Sequence, residues 1–290
     1  MSWDAKATVV GYRLIRPTDA VRTGWEIRAR AERVASTSAG PGSEPAARFI
    51  RLHVEPAHRR RGLGSWLLYE VTSDLRAVGG RVVEAIAVVG SEGAEFAAKH
   101  GAVVGDELVD YVLELDDLDS AELARLASAA PARYRLVHWR DPAPDALLDS
   151  YAHAKRFVSD APNRHPPQVP PWTAALVRQA ERERAERGEA LWVTAAMLDG
   201  KVVAFTEISA GTSVEGDQHD TVVLPDHRRC GLASCIKADL ILRLRTSRPD
   251  LHTVGVTCAV ANTGMRAVNQ RVGFLESGRR NLMRLPLLGA

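Results

Sequence analysis

The feature that most restricts this chain is a repeat within it. Residues 54–65 read VEPAHRRRGLGS, and residues 223–234 read VLPDHRRCGLAS. At a constant offset of 169, Val54, Pro56, His58, Arg59, Arg60, Gly62, Leu63 and Ser65 recur unchanged, and Gly64 becomes the equally small Ala233. Eight identities in twelve at that separation mark a duplicated domain. The 290 residues suit two units, at roughly 150 residues each.

The pattern after each loop extends the duplication. Trp66, Leu67, Leu68, Val71 and Leu75 follow the first; Ile236, Leu240, Ile241 and Leu244 follow the second. Their three- and four-residue spacing predicts an amphipathic helix. Gly79-Gly80 stops one helix, and Pro249 lies just past the other. Strand-like runs at 82–89 and 251–258 come next, then a short helix closing at Gly101 or Gly273, then closing strands at 108–115 and 281–287. A polar-to-alanine-rich connector, 119–132, divides a first domain (1–118) from a second (133–290). The second opens with a strand at 134–139 and helices at 145–157 and 173–187, the latter two separated by a proline-rich 160–172. A hairpin of strands 191–198 and 202–209 turns at Asp199-Gly200. Only 53 residues precede Val54, so the opening helices of the first domain are predicted to be shortened or missing.

Composition removes several function classes. With 46% apolar and 26% charged residues the chain is ordinary globular material. A net charge of +2 leaves no polycation for nucleic acid, and the arginines of 58–61 lack neighbouring aromatic rings on which bases would stack. The longest stretch free of Asp, Glu, Lys and Arg, 251–265, is too short and too polar to span a bilayer. The N-terminus has no basic region followed by an apolar core, and Cys230, Cys235 and Cys258 form no CxxC pair. These features predict a soluble, cytoplasmic protein. The nine histidines show no metal-ligand spacing, so no metal is expected.

The repeated loop itself carries chemistry. Small residues at Gly62/Gly64 and Gly231/Ala233 allow backbone N–H groups to approach a ligand. The helix that follows offers unsatisfied N–H groups and the positive end of its dipole at the same point. With arginines alongside, this forms a pyrophosphate cradle. Neither copy has the Gly-Lys-Ser/Thr of a P-loop or the full G-x-G-x-x-G of a dinucleotide fingerprint.

The motif R-x-x-G-x-G/A between strand and helix, followed by a strand and a short helix ending in Gly273-Phe274, resembles the GNAT superfamily of acyl-CoA N-acetyltransferases. The layout is similar to its tandem, mycothiol-synthase-like type. The resemblance implies an α/β (α+β) fold of two GNAT-like domains, the first one shortened, each a mixed, mostly antiparallel sheet flanked by helices. It also implies acetyl-CoA as co-substrate, no metal, and a small-molecule or peptide amine as acceptor.

Carried over by position, the resemblance makes Arg228, Arg229, Cys230, Gly231, Leu232, Ala233 and Ser234 the cofactor loop of the second domain, with Val222 and Val223 supplying strand backbone for the pantetheine arm. Asn262, eleven residues before Gly273, falls where the family contacts that arm; its position also suits a helix cap. Glu207, Asp220 and His219 are candidates for the base that deprotonates the acceptor. The family tyrosine that protonates the thiolate is replaced by Asn269, an amide that cannot supply a proton; Tyr151 is a substitute by elimination. The first domain keeps Arg59, Arg60, Arg61, Gly62, Leu63 and Gly64, but Arg51 replaces Asp220, Gly90 takes the asparagine position and Ala97 the tyrosine position. It is expected to be degenerate, with N-acetyl transfer confined to the second domain. The alternative is an acyl-CoA-binding or regulatory protein without turnover.

Overall fold

A computed structural model of the chain describes residues 11–16, 24–162 and 171–287. In chain order its elements are β1 (Tyr12–Ile15), β2 (Gly24–Ala29), β3 (Glu32–Pro41), β4 (Ala47–Val54), α1 (Leu63–Ala77), β5 (Val82–Val88), α2 (Glu92–Lys99) and β6 (Val103–Glu114). Then come α3 (Ser120–Ala127), β7 (Arg135–Arg140), α4 (Asp145–Lys155), α5 (Ala174–Glu186), β8 (Ala190–Leu198), β9 (Lys201–Ala210), β10 (Glu215–Val223), α6 (Leu232–Ser247), β11 (Thr253–Ala259), α7 (Thr263–Arg271) and β12 (Leu275–Pro286). Among the described residues before Val54 there are four strands and no helix.

The described residues form two compact units. The first takes the chain to Asp106 together with residues from Asn281 onward; the second takes Glu107 to Arg280. The division therefore falls inside β6 and inside β12, not at the 119–132 connector. Residues 108–115, read as the closing strand of the first domain, pair antiparallel with β11, from Leu108↔Ala259 to Glu114↔Thr253. Strand membership is set by hydrogen-bonded neighbours, which chain order does not dictate.

In the first unit β1 to β4 run antiparallel, and β5 joins β4 in parallel. The end of β12 follows: Leu287 N donates to Arg81 O at 2.7 Å. Leu63, Leu67, Val71 and Leu75 of α1 bury one helical stripe against Ile27, Val34 and Ile50. In the second unit the order is β6-β11-β10-β9-β8-β7, all antiparallel except the β10–β11 pair. β8 and β9 are covered on both faces, which is why their sequences are near-continuously apolar. On one face Leu240, Ile241 and Leu244 of α6 pack on Trp192 and Ile208; on the other, Tyr151 of α4 and Val177 of α5 pack on Val193 and Phe205.

Two irregularities shape the second unit. β10 and β11 pair only from Glu215↔Thr253 to Asp217↔Gly255, although both strands continue beyond. Their ends splay apart, leaving one edge of β10 without a partner strand. Against β9 the β10 register shifts between Gln218 and Thr221, so His219 and Asp220 occupy a bulge. The first unit repeats the splay: β4 and β5 pair only from Ala47↔Val82 to Phe49↔Glu84.

Candidate active site

Each splayed strand ends in the repeated loop. A single 3-10 turn, Pro225–His227, leads through Arg228 and Arg229 to Gly231, and Pro56–His58 does the same in the first copy. Arg229 and Arg60 take positive φ of 65° and 58°, and Gly231 and Gly62 take 82° and 80°. These left-handed residues bend the chain so that each glycine becomes the N-cap of its helix, with no side chain capping it. The first amides of α6 and α1 are thus left for an external anion. A Cβ on Gly231 or Gly62 would meet nothing within 4 Å, so the backbone conformation, not crowding, calls for glycine there.

The arginines are directed by shared contacts. Arg228 Nε donates to Val223 O at 2.9 Å, and Arg59 Nε donates to Val54 O at 3.0 Å. A tyrosine braces each turn: Tyr134 Oη lies 3.0 Å from His227 Nδ1, and Tyr12 Oη lies 3.1 Å from His58 Nδ1. Cys230 Sγ donates to His227 O at 2.8 Å, which gives it a place within the turn. Arg228 also pairs with Asp160 at 2.7 Å. In the first copy Glu92, at the start of α2, pairs with Arg60 at 2.9 Å and Arg59 at 3.6 Å.

Behind the second cradle stands a buried charge cluster. Tyr151 and Lys155, four residues apart on α4, reach the same point. Tyr151 Oη donates to Glu207 Oε1; Lys155 Nζ lies 2.6 Å from the same oxygen and 3.1 Å from Asp220 Oδ2. The Glu207 side chain is 2% exposed and that of Asp220 31%. Burial pushes the Glu207 carboxyl above its usual range, with the Lys155 ammonium opposing. Burial by itself would lower Lys155, but Glu207 and Asp220 outweigh it and hold the ammonium above its ordinary value. Tyr151 is raised well above the phenol range, first by burial and then by the Glu207 charge. His219, exposed in the bulge, meets Ser209 Oγ through Nε2 at 2.6 Å.

The structure thus brings Glu207 and Asp220 together on adjacent strands and leaves His219 beside them. Tyr151, named by elimination as an acid, is committed to Glu207. Lys155 escaped the sequence reading, though its four-residue spacing from Tyr151 on a predicted helix was a visible signal. Asn262 caps α7, its Oδ1 accepting from Met265 N at 3.2 Å. Asn269 is completely buried, and neither amide atom has a hydrogen-bond partner among the described residues. Lys237 is a second unforeseen residue. It is 1% exposed and has no acidic partner among the described residues; its Nζ lies 5.2 Å from the Phe274 ring centroid. Burial pulls its pKa down to about 7. Asn163 and His165, in the proline-rich 160–172, lie outside the described residues.

No helix among the described residues is long and apolar enough to cross a membrane, and no described cluster has the makings of a metal site. No curated protein matches the sequence. Among solved structures, a tandem GNAT protein from the clavulanic acid biosynthesis pathway superposes with a TM-score of 0.76 at 24% identity, over 97% of this chain and 85% of that one. A GCN5-related N-acetyltransferase from Sphaerobacter thermophilus gives 0.67 at 17% identity, over 93% and 82%. The model of the acetyltransferase (GNAT) family matches residues 3–102 and 154–274, one region for each copy of the loop. The chain therefore belongs to the GNAT acetyltransferase family and carries its fold twice in tandem.

Proposed function

We propose that the second unit moves an acetyl group from acetyl-CoA to a primary amine by direct attack, with the first unit as scaffold. One observation carries the reading: β10 holds Asp220 in its bulge and runs three residues later, at Val223, into the cradle. Base and anion site are thereby fixed to one strand.

The residues present suit acetyl-CoA. The uncapped start of α6 with Arg228, Arg229, Cys230, Gly231, Leu232, Ala233 and Ser234 would hold its diphosphate, and the splayed edge of β10 would admit its arm. Bound there, it supplies an activated acyl thioester. Leu224 N donates to Val203 O, and strand alternation turns the N–H of Val223 to the opposite, splayed edge. That N–H is placed to polarise a carbonyl. Asn262 contributes the part of its amide left over from capping α7.

Asp220 serves as base. It is the carboxylate with an open side, whereas Glu207 is sealed under Tyr151 and Lys155. Glu207 fixes Lys155, which in turn orients Asp220. His219 is a relay between the bulge and solvent. Binding without turnover is the competing reading, favoured by Asn269, whose amide has no proton to give a departing thiolate.

A screen of primary amines that monitors the free thiol released tests both readings. Release by wild type, lost in Arg229→Glu and kept in Arg60→Glu, is expected. Release lost only in Arg60→Glu would assign the chemistry to the first copy. No release with any amine, while CoA still binds, would leave the binding protein.

A further inference from the structure

Lys155 is held as a ligand is held. Its Nζ stands 4.6 Å from the ring centroid of Trp172, 5.1 Å from that of Phe205 and 5.4 Å from that of Tyr151. Glu207 and Asp220 accept from it at 2.6 Å and 3.1 Å. Ring faces and carboxylates attract the same thing, a cation. Two carboxylates facing one ammonium leave an excess of negative charge, and removal of the ammonium would strand the buried Glu207 and leave Asp220 without its cation. Arg184, the other cation acting on the cluster, is occupied by Asp141 at 2.8 Å and cannot replace it.

We propose that Tyr151, Phe205, Trp172, Glu207 and Asp220 form a cation-recognition box that the chain fills with its own Lys155 ammonium, and that Lys155 thereby sets acceptor specificity. A wild-type acceptor brings one amine to the open side of Asp220, and a second cationic group finds its natural seat taken. Acceptors are then monoamines whose remainder is neutral or anionic, and oligocationic amines are refused. The specificity half rests on the reading of Asp220 as facing the acceptor; the box itself does not.

Truncation to alanine removes from Lys155 the equivalent of n-propylammonium, so that ion is the probe. Wild type, Lys155→Ala and Lys155→Met (which keeps the length without the charge) are titrated calorimetrically with n-propylammonium chloride and with putrescine. Propan-1-ol is the neutral control, and no acyl donor is present. Saturable binding of both cations to Lys155→Ala, at least about tenfold tighter than to wild type or Lys155→Met, is expected. Should Lys155→Ala be unfolded alone, n-propylammonium must restore its near-UV circular dichroism while propan-1-ol does not. Binding no tighter than to wild type, refolding by the alcohol to the same extent, or no refolding with the cation overturns the proposal. Putrescine binding equally well to wild type overturns its specificity half. Because no donor enters the titration, failure here and failure of acetyl transfer are separate results.

Discussion

The two copies of the loop share their geometry almost bond for bond and differ in what stands behind it. In both, an arginine Nε folds back on the preceding strand, a tyrosine braces the histidine of the turn, and a left-handed glycine opens the helix. The bracing tyrosine lies 46 residues from its histidine in the first copy and 93 in the second. The added length carries α4, which supplies both Tyr151 and Lys155, and α5. The cradle is built from a dozen contiguous residues, and its geometry is present in both copies. The proton transfer proposed for the second copy needs groups gathered from a helix and two strands, and the first copy has Arg51 at the position of Asp220.

Substitutions at matched positions of the two copies test this contrast. The largest expected effect is on turnover: Asp220→Asn should lower kcat by roughly 10²- to 10⁴-fold while CoA affinity holds. An equal fall in Arg51→Ala would erase the distinction between the copies. Next is stability at Lys237, where the first copy has Leu68 in its apolar core. Burial lowers the folded pKa to about 7 against 10.5 for the free side chain. The folded state therefore bears the full penalty at and below about pH 7, and stability rises with pH from there toward 10.5. Lys237→Leu should stabilise the protein by on the order of a few kcal/mol at pH 7 and flatten that slope in denaturant titrations. A smaller effect is expected at the matched helix caps. Asn262→Ala and Ser91→Ala should each cost about 1 kcal/mol, seen as a lower Tm, but only Asn262→Ala should also weaken CoA binding. The smallest effect concerns Glu92, whose exposed pairing with Arg59 and Arg60 has no equivalent at Thr263. Glu92→Gln should tighten pyrophosphate binding to the first cradle about two- to fivefold, measured in an Arg229→Glu background.

Much of this was legible in the sequence because it is local. The repeat, the cradle and the helices beside it follow from contiguous residues and short periodicities, and Glu207 and Asp220 were placed by their strands. What escaped depends on distant partners. Lys155 reads as a surface charge until β9 and β10 arrive beneath it. Lys237 interrupts an apolar stripe and reads as solvent-facing, yet Phe274 and Cys258 enclose it. The pairing of 108–115 is hidden for the same reason, since the run looks like an ending and pairs with β11 of the second unit.

The closing strand of the first unit has a bearing on synthesis. Arg284, from β12, forms ion pairs with Glu44 and with Glu84, the latter at 3.0 Å, and Leu287 joins the core around α1. A ribosome makes the first unit early, yet Glu84 waits in an unfinished interior until some two hundred later residues have emerged. The half born first is thus completed last, and a nascent chain stalled before Asn281 should remain open to protease in its amino-terminal half.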